Sequence, residues 1–171
     1  MIAIELHDGW KMRMIGTADY IPAKVPGSVY HDLLRHGKME DPFYRDNEGK
    51  ALEIMENDFE YVTVFDVPER LLACEKVLLH FDGLDTVADI DLNGKRIAHV
   101  ENMHRTWEFS VKEDLKGSGN ELRILFHSPV RYIKEANERE PIPGTKHAMA
   151  GFNYLRKAHC MFGWDWGGSL R

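Results

Sequence analysis

The sequence has little cysteine and no long apolar run. Only Cys74 and Cys160 occur among 171 residues, fewer than a small secreted scaffold held by disulfides requires. We therefore expect two unpaired thiols in a reducing compartment. The first residues show neither the basic nor the apolar region of a signal peptide, and no apolar stretch approaches the ~18 residues of a membrane span. These absences favour a cytoplasmic protein with no membrane partner.

Positive charge is also scarce. The 22 Lys and Arg residues are outnumbered by 28 Asp and Glu residues, which gives a formal net charge of −6. Nucleic acids and anionic membranes attract proteins with clustered Lys and Arg, so the composition argues against either partner. The length and the 43% hydrophobic content suit one globular domain, residues 1–171.

The short motifs of common catalytic centres are missing. The sequence contains no GxSxG, no HExxH, no paired CxxC and no glycine-rich phosphate loop. The neighbours His159 and Cys160 supply too few ligands for a metal ion. Carboxylate pairs such as Glu138 and Glu140 are typical of a solvated surface in so acidic a chain. We expect no metal, no cofactor and no catalytic residue here.

Short strand-like segments dominate what the sequence does contain. In residues 58–67, apolar and β-branched side chains such as Phe59 and Tyr61 fall on every second position, as in a strand with one buried face. Asn93-Gly94 lies between two such segments and favours a hairpin, because both turn residues accept positive φ. Further strands are expected at 76–81, 86–92, 95–100, 106–111 and 121–126. This pattern predicts an all-β fold, a jelly-roll β-sandwich.

One or two short helices are expected beside the strands. Ser28 suits the N-cap of a helix that ends before Gly37. Ser128 suits the N-cap of a second helix, with Pro129 as its first residue and an end near Glu138.

The segment from about 141 to 171 has a different character, and we describe it as a C-terminal aromatic loop. It contains the run Met161-Phe162-Gly163-Trp164-Asp165-Trp166. An apolar surface of this kind needs a partner to cover it. We therefore expect the chain to be part of a longer protein, with this segment poorly ordered when the covering part is missing.

Trp164, Asp165 and Trp166 form the most informative cluster of the loop. Tryptophan faces suit the apolar sides of pyranose rings, and a carboxylate accepts strong hydrogen bonds from sugar hydroxyls. An equally good interpretation is an aromatic brace in which Asp165 caps backbone N–H groups. The residues alone leave both open.

Five segments, in register along nearly the whole chain, resemble the N-terminal domain of β-mannosidases of glycoside hydrolase family 2. They are residues 23–34 (AKVPGSVYHDLL), 41–48 (DPFYRDNE), 81–86 with 92–95 (FDGLDT and LNGK), 102–105 (NMHR), and 156–158 with 162–167 (RKA and FGWDWG). A single motif would be weak, whereas five in order are specific.

This resemblance implies a galactose-binding-like jelly roll, followed in the full protein by an immunoglobulin-like sandwich and a TIM barrel. It implies a retaining β-mannosidase whose two catalytic glutamates lie in the barrel. The aromatic loop would reach the active site of the barrel. There Asp165 would bind hydroxyls of the mannose, and Trp164 and Trp166 would shape the pocket.

Two positions depart from the family. Gly168 stands where the family usually has proline, and Phe59 stands where tryptophan is common. Neither changes the sugar-contacting residue type at Asp165. A free-standing carbohydrate-binding module and a purely structural domain are the alternative functions.

Overall fold

The computed structural model describes residues 2–143 and 149–162 of the chain. Within these ranges eight strands form two sheets whose strand pairs are all antiparallel. The strands are β1 (Lys11–Met14), β2 (Ile21–Pro22), β3 (Phe59–Phe65), β4 (Leu78–Phe81), β5 (Val87–Leu92), β6 (Lys95–Glu101), β7 (Trp107–Ser110) and β8 (Asn120–Phe126). The larger sheet has the order β2-β1-β3-β8-β5-β6, and β4 pairs with β7 in the smaller one. The predicted all-β class is confirmed.

The two sheets share one hydrophobic core, which makes the domain a sandwich. Tyr61 of β3, Ile90 of β5 and Ile124 of β8 point into this core from the larger sheet, and Leu79 of β4 faces them from the smaller one. Each of these side chains is at most 8% exposed. The alternation read from the sequence of β3 therefore marks the face that is buried.

The Asn93-Gly94 hairpin is confirmed. Asn93 has φ 54° and Gly94 has φ 81°, the left-handed region that a two-residue hairpin turn requires. The Asn93 side-chain amide donates to the Asp114 carbonyl at 2.7 Å. The side-chain oxygen of Asn93 accepts a hydrogen bond from the backbone N–H of Glu121 at 3.0 Å. These two hydrogen bonds join the turn to the segments that contain Asp114 and Glu121.

In the described part of the chain, four α-helices and three short 3-10 helices accompany the strands, more than the one or two helices expected. They are α1 (Val29–Arg35), α2 (Asn47–Ile54), α3 (Glu69–Leu72), α4 (Pro129–Arg139) and the 3-10 helices Lys112–Asp114, Phe152–Tyr154 and His159–Phe162. Ser28 and Ser128 cap α1 and α4 through their side chains, as predicted. No helix in the described ranges is both long and apolar enough to cross a membrane.

A second, smaller apolar cluster covers one end of the outer face of the larger sheet. Val87, Ile133 of α4, Leu155 and Phe162 pack together there, each at most 2% exposed. The expectation that Phe162 stays uncovered without further chain is therefore wrong, because α4 and Val87 bury it. Residues 163–171, like 144–148, lie outside the described ranges.

Candidate functional site

Three of the five segments that carry the family resemblance meet at one end of the larger sheet. Asn102, directly after β6, forms a parallel bridge with Arg156. The backbone N–H of Met103 donates to the Arg156 carbonyl at 3.1 Å. The N–H of Ala158 in turn lies 3.0 Å from the sulfur of Met103. We call residues 82–86, 102–105 and 153–159 the loop platform.

A buried ion pair ties the loop platform to the start of β5. Nζ of Lys157 donates to Oδ2 of Asp85 at 2.5 Å. The Lys157 side chain is only 6% exposed, whereas that of Asp85 is 34% exposed. A buried ammonium needs a partner to offset its lost hydration. This pair therefore holds the part of the aromatic loop that precedes Trp164, Asp165 and Trp166.

Lys157→Met is expected to lower the free energy of unfolding by about 1–3 kcal/mol, because the half-buried Asp85 carboxylate loses its cation and keeps the hydrogen bond from the Thr86 hydroxyl. Lys134→Met is the matched control, since the side chains of Lys134 and its partner Glu56 are both 53% exposed, and it should cost at most about 1 kcal/mol. Urea denaturation of both variants measures the difference. Equal losses would show that the Lys157 pair does not hold the loop platform.

The loop platform borders an open cleft of about 560 Å³ that is lined by basic, polar and apolar residues. His104, Asn153, Arg156 and His159 line it, and none of its described lining residues is a carboxylate. The ring of His159 stands edge-on against Phe152, with centroids 4.8 Å apart. These side chains can donate hydrogen bonds to an oxygen-rich ligand. They do not supply the two carboxylates of glycoside hydrolysis.

The predicted sugar-binding residues Trp164, Asp165 and Trp166 lie outside the described residues. The structure describes the chain as far as Phe162, which is 1% exposed. The pair His159 and Cys160 does not belong to any potential metal-binding cluster within the described ranges. Cys74 and Cys160 are both free thiols, as expected, whereas the cytoplasmic location stays a prediction.

The other two motif segments differ in their burial. Asp32, fully buried in α1, accepts hydrogen bonds from the backbone N–H of Lys24 at 3.1 Å and from the Tyr61 hydroxyl at 3.0 Å. Burial, together with the Asp32 carboxylate, raises the pKa of Tyr61. Around Arg45, by contrast, Phe43 and Tyr44 are exposed.

A charged network on the outer face of the larger sheet was not predicted from the sequence. Glu60, only 1% exposed, accepts hydrogen bonds from Arg13 at 2.9 Å, from Arg123 and from Tyr20. Burial alone would raise the pKa of Glu60, but the hydrogen bonds from these three residues outweigh it and lower the pKa. Arg123 also donates to Asp91 at 3.1 Å. Arg13, Glu60 and Arg123 lie on three different strands and Tyr20 directly precedes β2, so the pattern within any one segment does not predict the network.

Comparison with known proteins defines the class of this domain. The model of the family described as glycosyl hydrolase 2 galactose-binding domain-like matches residues 10–171. A β-mannosidase of Bos taurus is 32% identical over 99% of this chain and 20% of its own length. A β-mannosidase B of Thermothelomyces thermophilus is 34% identical over the same shares. The chain belongs to the galactose-binding-like domains of glycosyl hydrolase family 2.

The solved structures agree with this assignment. The crystal structure of a β-D-mannosidase from Dictyoglomus thermophilum superposes with a TM-score of 0.94 at 34% identity. The match covers 99% of this chain and 21% of that one. The chain therefore spans about a fifth of the length of the β-mannosidases it matches.

Proposed function

We propose that this chain is the non-catalytic N-terminal domain of a retaining β-mannosidase that hydrolyses terminal β-D-mannose residues of manno-oligosaccharides or glycoconjugates. The observation that carries the proposal is the match to a β-D-mannosidase structure over 99% of the chain with a TM-score of 0.94. Each of the relatives quoted above is named as a β-mannosidase. No carboxylate is found among the described residues that line the cleft, which is consistent with a domain that leaves the chemistry to another domain.

The role of the domain is to complete the sugar subsite of the catalytic barrel. Asp165 accepts hydrogen bonds from mannose hydroxyls, and Trp164 and Trp166 shape the pocket around the ring. The loop platform supports this role, because the Lys157–Asp85 pair and the buried Phe162 anchor the chain just before these residues. A preorganised support limits the conformational entropy lost when a sugar binds.

The isolated chain is expected not to hydrolyse aryl β-mannosides, whereas the complete protein is expected to hydrolyse them. Retaining hydrolysis requires an acid and a nucleophile about 5 Å apart on either side of one glycosidic bond. Both proteins should be assayed in parallel with aryl β-mannoside and, as a specificity control, aryl β-glucuronide.

Turnover by the isolated chain that persists through repeated purification would contradict the assignment of catalysis to another domain. A complete protein that cleaves the β-glucuronide and leaves the β-mannoside intact would contradict the proposed substrate. Micromolar binding of manno-oligosaccharides by the isolated chain would instead favour a free-standing carbohydrate-binding module, since a half-formed subsite binds weakly.

A further inference from the structure

A carboxylate on the outer face of the larger sheet lies between two histidines. Asp89 of β5 and His99 of β6 are direct cross-strand partners, and Nδ1 of His99 lies 2.6 Å from Oδ1 of Asp89. Just beyond β8, Nε2 of His127 lies 3.0 Å from Oδ2 of Asp89. One ligand atom from each residue lies within 4.8 Å of those of the other two. The register of three neighbouring strands brings these groups together.

We propose that Asp89, His99 and His127 bind a divalent transition-metal ion of the zinc class. Two imidazoles and one carboxylate are a ligand set that Zn²⁺ takes in proteins, at about 2.0–2.2 Å from each atom, with water at the fourth position. Ligand atoms around such an ion lie roughly 3–3.5 Å apart, by the tetrahedral geometry of those bonds. The spacings of 2.6 Å between Asp89 and His99 and of 3.0 Å between Asp89 and His127 lie near this range. This inference does not depend on the proposed glycosidase function.

The groups behind the two histidines support this assignment. The other nitrogen of His99, Nε2, lies 3.1 Å from Oε1 of Glu101. The other nitrogen of His127, Nδ1, lies 3.8 Å from Oδ2 of Asp58. A carboxylate behind a metal-binding histidine fixes the tautomer, orients the ring and makes the ligating nitrogen more basic. Glu101 meets this condition for His99, whereas Asp58 lies beyond hydrogen-bond distance of His127 and contributes only its negative charge.

The cluster is also accessible to an incoming ion. The side chain of Asp89 is 12% exposed, that of His127 is 28% exposed and that of His99 is 47% exposed. The carboxylate thus forms the floor of the site, and the imidazoles form its solvent-facing side. An ion can enter from this side, and water can complete its coordination.

Arg96 is the group that opposes a cation here. Its Nη1 lies 2.9 Å from Oδ1 of Asp89, and its side chain is 51% exposed. Its Nε also donates to Asp91 at 2.5 Å, so the guanidinium can leave Asp89 while it keeps a partner. Because a like charge close to the site weakens cation binding, Arg96→Gln should bind the metal several-fold more tightly than the wild type.

The proposal is tested by titration of the chelator-treated 171-residue chain with Zn²⁺ in a calorimeter at neutral pH, and with Co²⁺ by visible absorbance. We expect one ion per chain. His99→Gln and His127→Gln should each lower the affinity at least 10-fold, with a smaller loss in Glu101→Gln. The control is His80→Gln, which removes a histidine of the smaller sheet that lies between Glu108 and Asp82; it should bind as the wild type does.

Absence of Zn²⁺ binding up to millimolar concentration would overturn the proposal. One-to-one binding that is unchanged in the His99→Gln/His127→Gln double variant would also overturn it, because the ion would then lie elsewhere. If a variant does not fold, NMR of the wild-type histidine ring nitrogens decides instead. Zn²⁺ should shift the His99 and His127 resonances first, and shifts confined to other histidines would contradict the site.

Discussion

Glu60→Gln is expected to lower the free energy of unfolding of this domain by about 1.5–3 kcal/mol, the range for hydrogen bonds to a charged group. The Glu60 carboxylate is 1% exposed and accepts from Arg13, Arg123 and Tyr20. Glutamine preserves the shape but removes the charge, and its amide N–H₂ group faces donors instead of an acceptor. The loss stays below that of a fully buried ion pair, because the side chains of Arg13 and Arg123 are 30% and 35% exposed.

The pH dependence of this loss gives the prediction a second signature. Hydrogen bonds from its neighbours hold the pKa of Glu60 below the ordinary value of 4.5 despite burial. Since the pKa is lower in the folded state than in the unfolded state, ionised Glu60 stabilises the fold above about pH 4.5, and this contribution is lost as the pH falls through the lowered pKa. The difference between wild type and Glu60→Gln should therefore be largest near neutral pH and shrink in acid.

Urea denaturation at several pH values measures this difference. Glu121→Gln is the matched control, because Glu121 is exposed on the adjacent strand β8, and it should change stability by no more than about 0.5 kcal/mol. A pH-independent loss in Glu60→Gln would show that the charge of Glu60 contributes nothing and that only packing is affected.

Local features of the fold could be predicted because each depends on neighbours in the sequence. Such local features are the alternation in β3, the Asn93-Gly94 turn and the serine caps of α1 and α4. By contrast, β1 and β2 contain only a few residues each and are defined by pairing, with Lys11 opposite Val62 of β3. Helix α2 begins at Asn47, at the end of the segment 41–48, and runs to Ile54, where no strong periodic pattern predicts it.

The contacts of the site could not be predicted, because they join distant parts of the chain. Lys157 and Asp85 are separated by 72 positions, and Glu60 and Arg123 by 63. Asp89, His99 and His127 meet only because β5 lies between β6 and β8. A regular period identifies which face of a strand is buried, but it does not give the order of strands in a sheet.

In the complete protein, Asp165→Ala is expected to lower kcat/KM for a β-mannoside by about 10- to 1000-fold while the fold stays intact. The expected reason is the loss of the proposed charge-assisted hydrogen bond to a sugar hydroxyl, worth about 1.5–3 kcal/mol in the bound ground state, which corresponds to about 10- to 160-fold. Part of this bond should strengthen as the ring distorts toward the oxocarbenium-like transition state, so kcat should fall together with affinity.

Asp165→Asn separates this role from that of an aromatic brace, because asparagine keeps the shape of the side chain and loses its charge. A substrate contact predicts low activity in both variants with a nearly normal melting temperature. A brace predicts nearly normal activity in Asp165→Asn and a lower melting temperature in Asp165→Ala.

The most direct test of this domain as a substrate-contacting part of a β-mannosidase is kcat/KM of the complete Asp165→Asn protein on an aryl β-mannoside, with thermal unfolding measured on the same sample. We predict a loss of at least about 10-fold, which corresponds to 1.4 kcal/mol or more, at an unchanged melting temperature. Wild-type kcat/KM in Asp165→Asn would contradict the account, because Asp165 would then make no contact with the substrate.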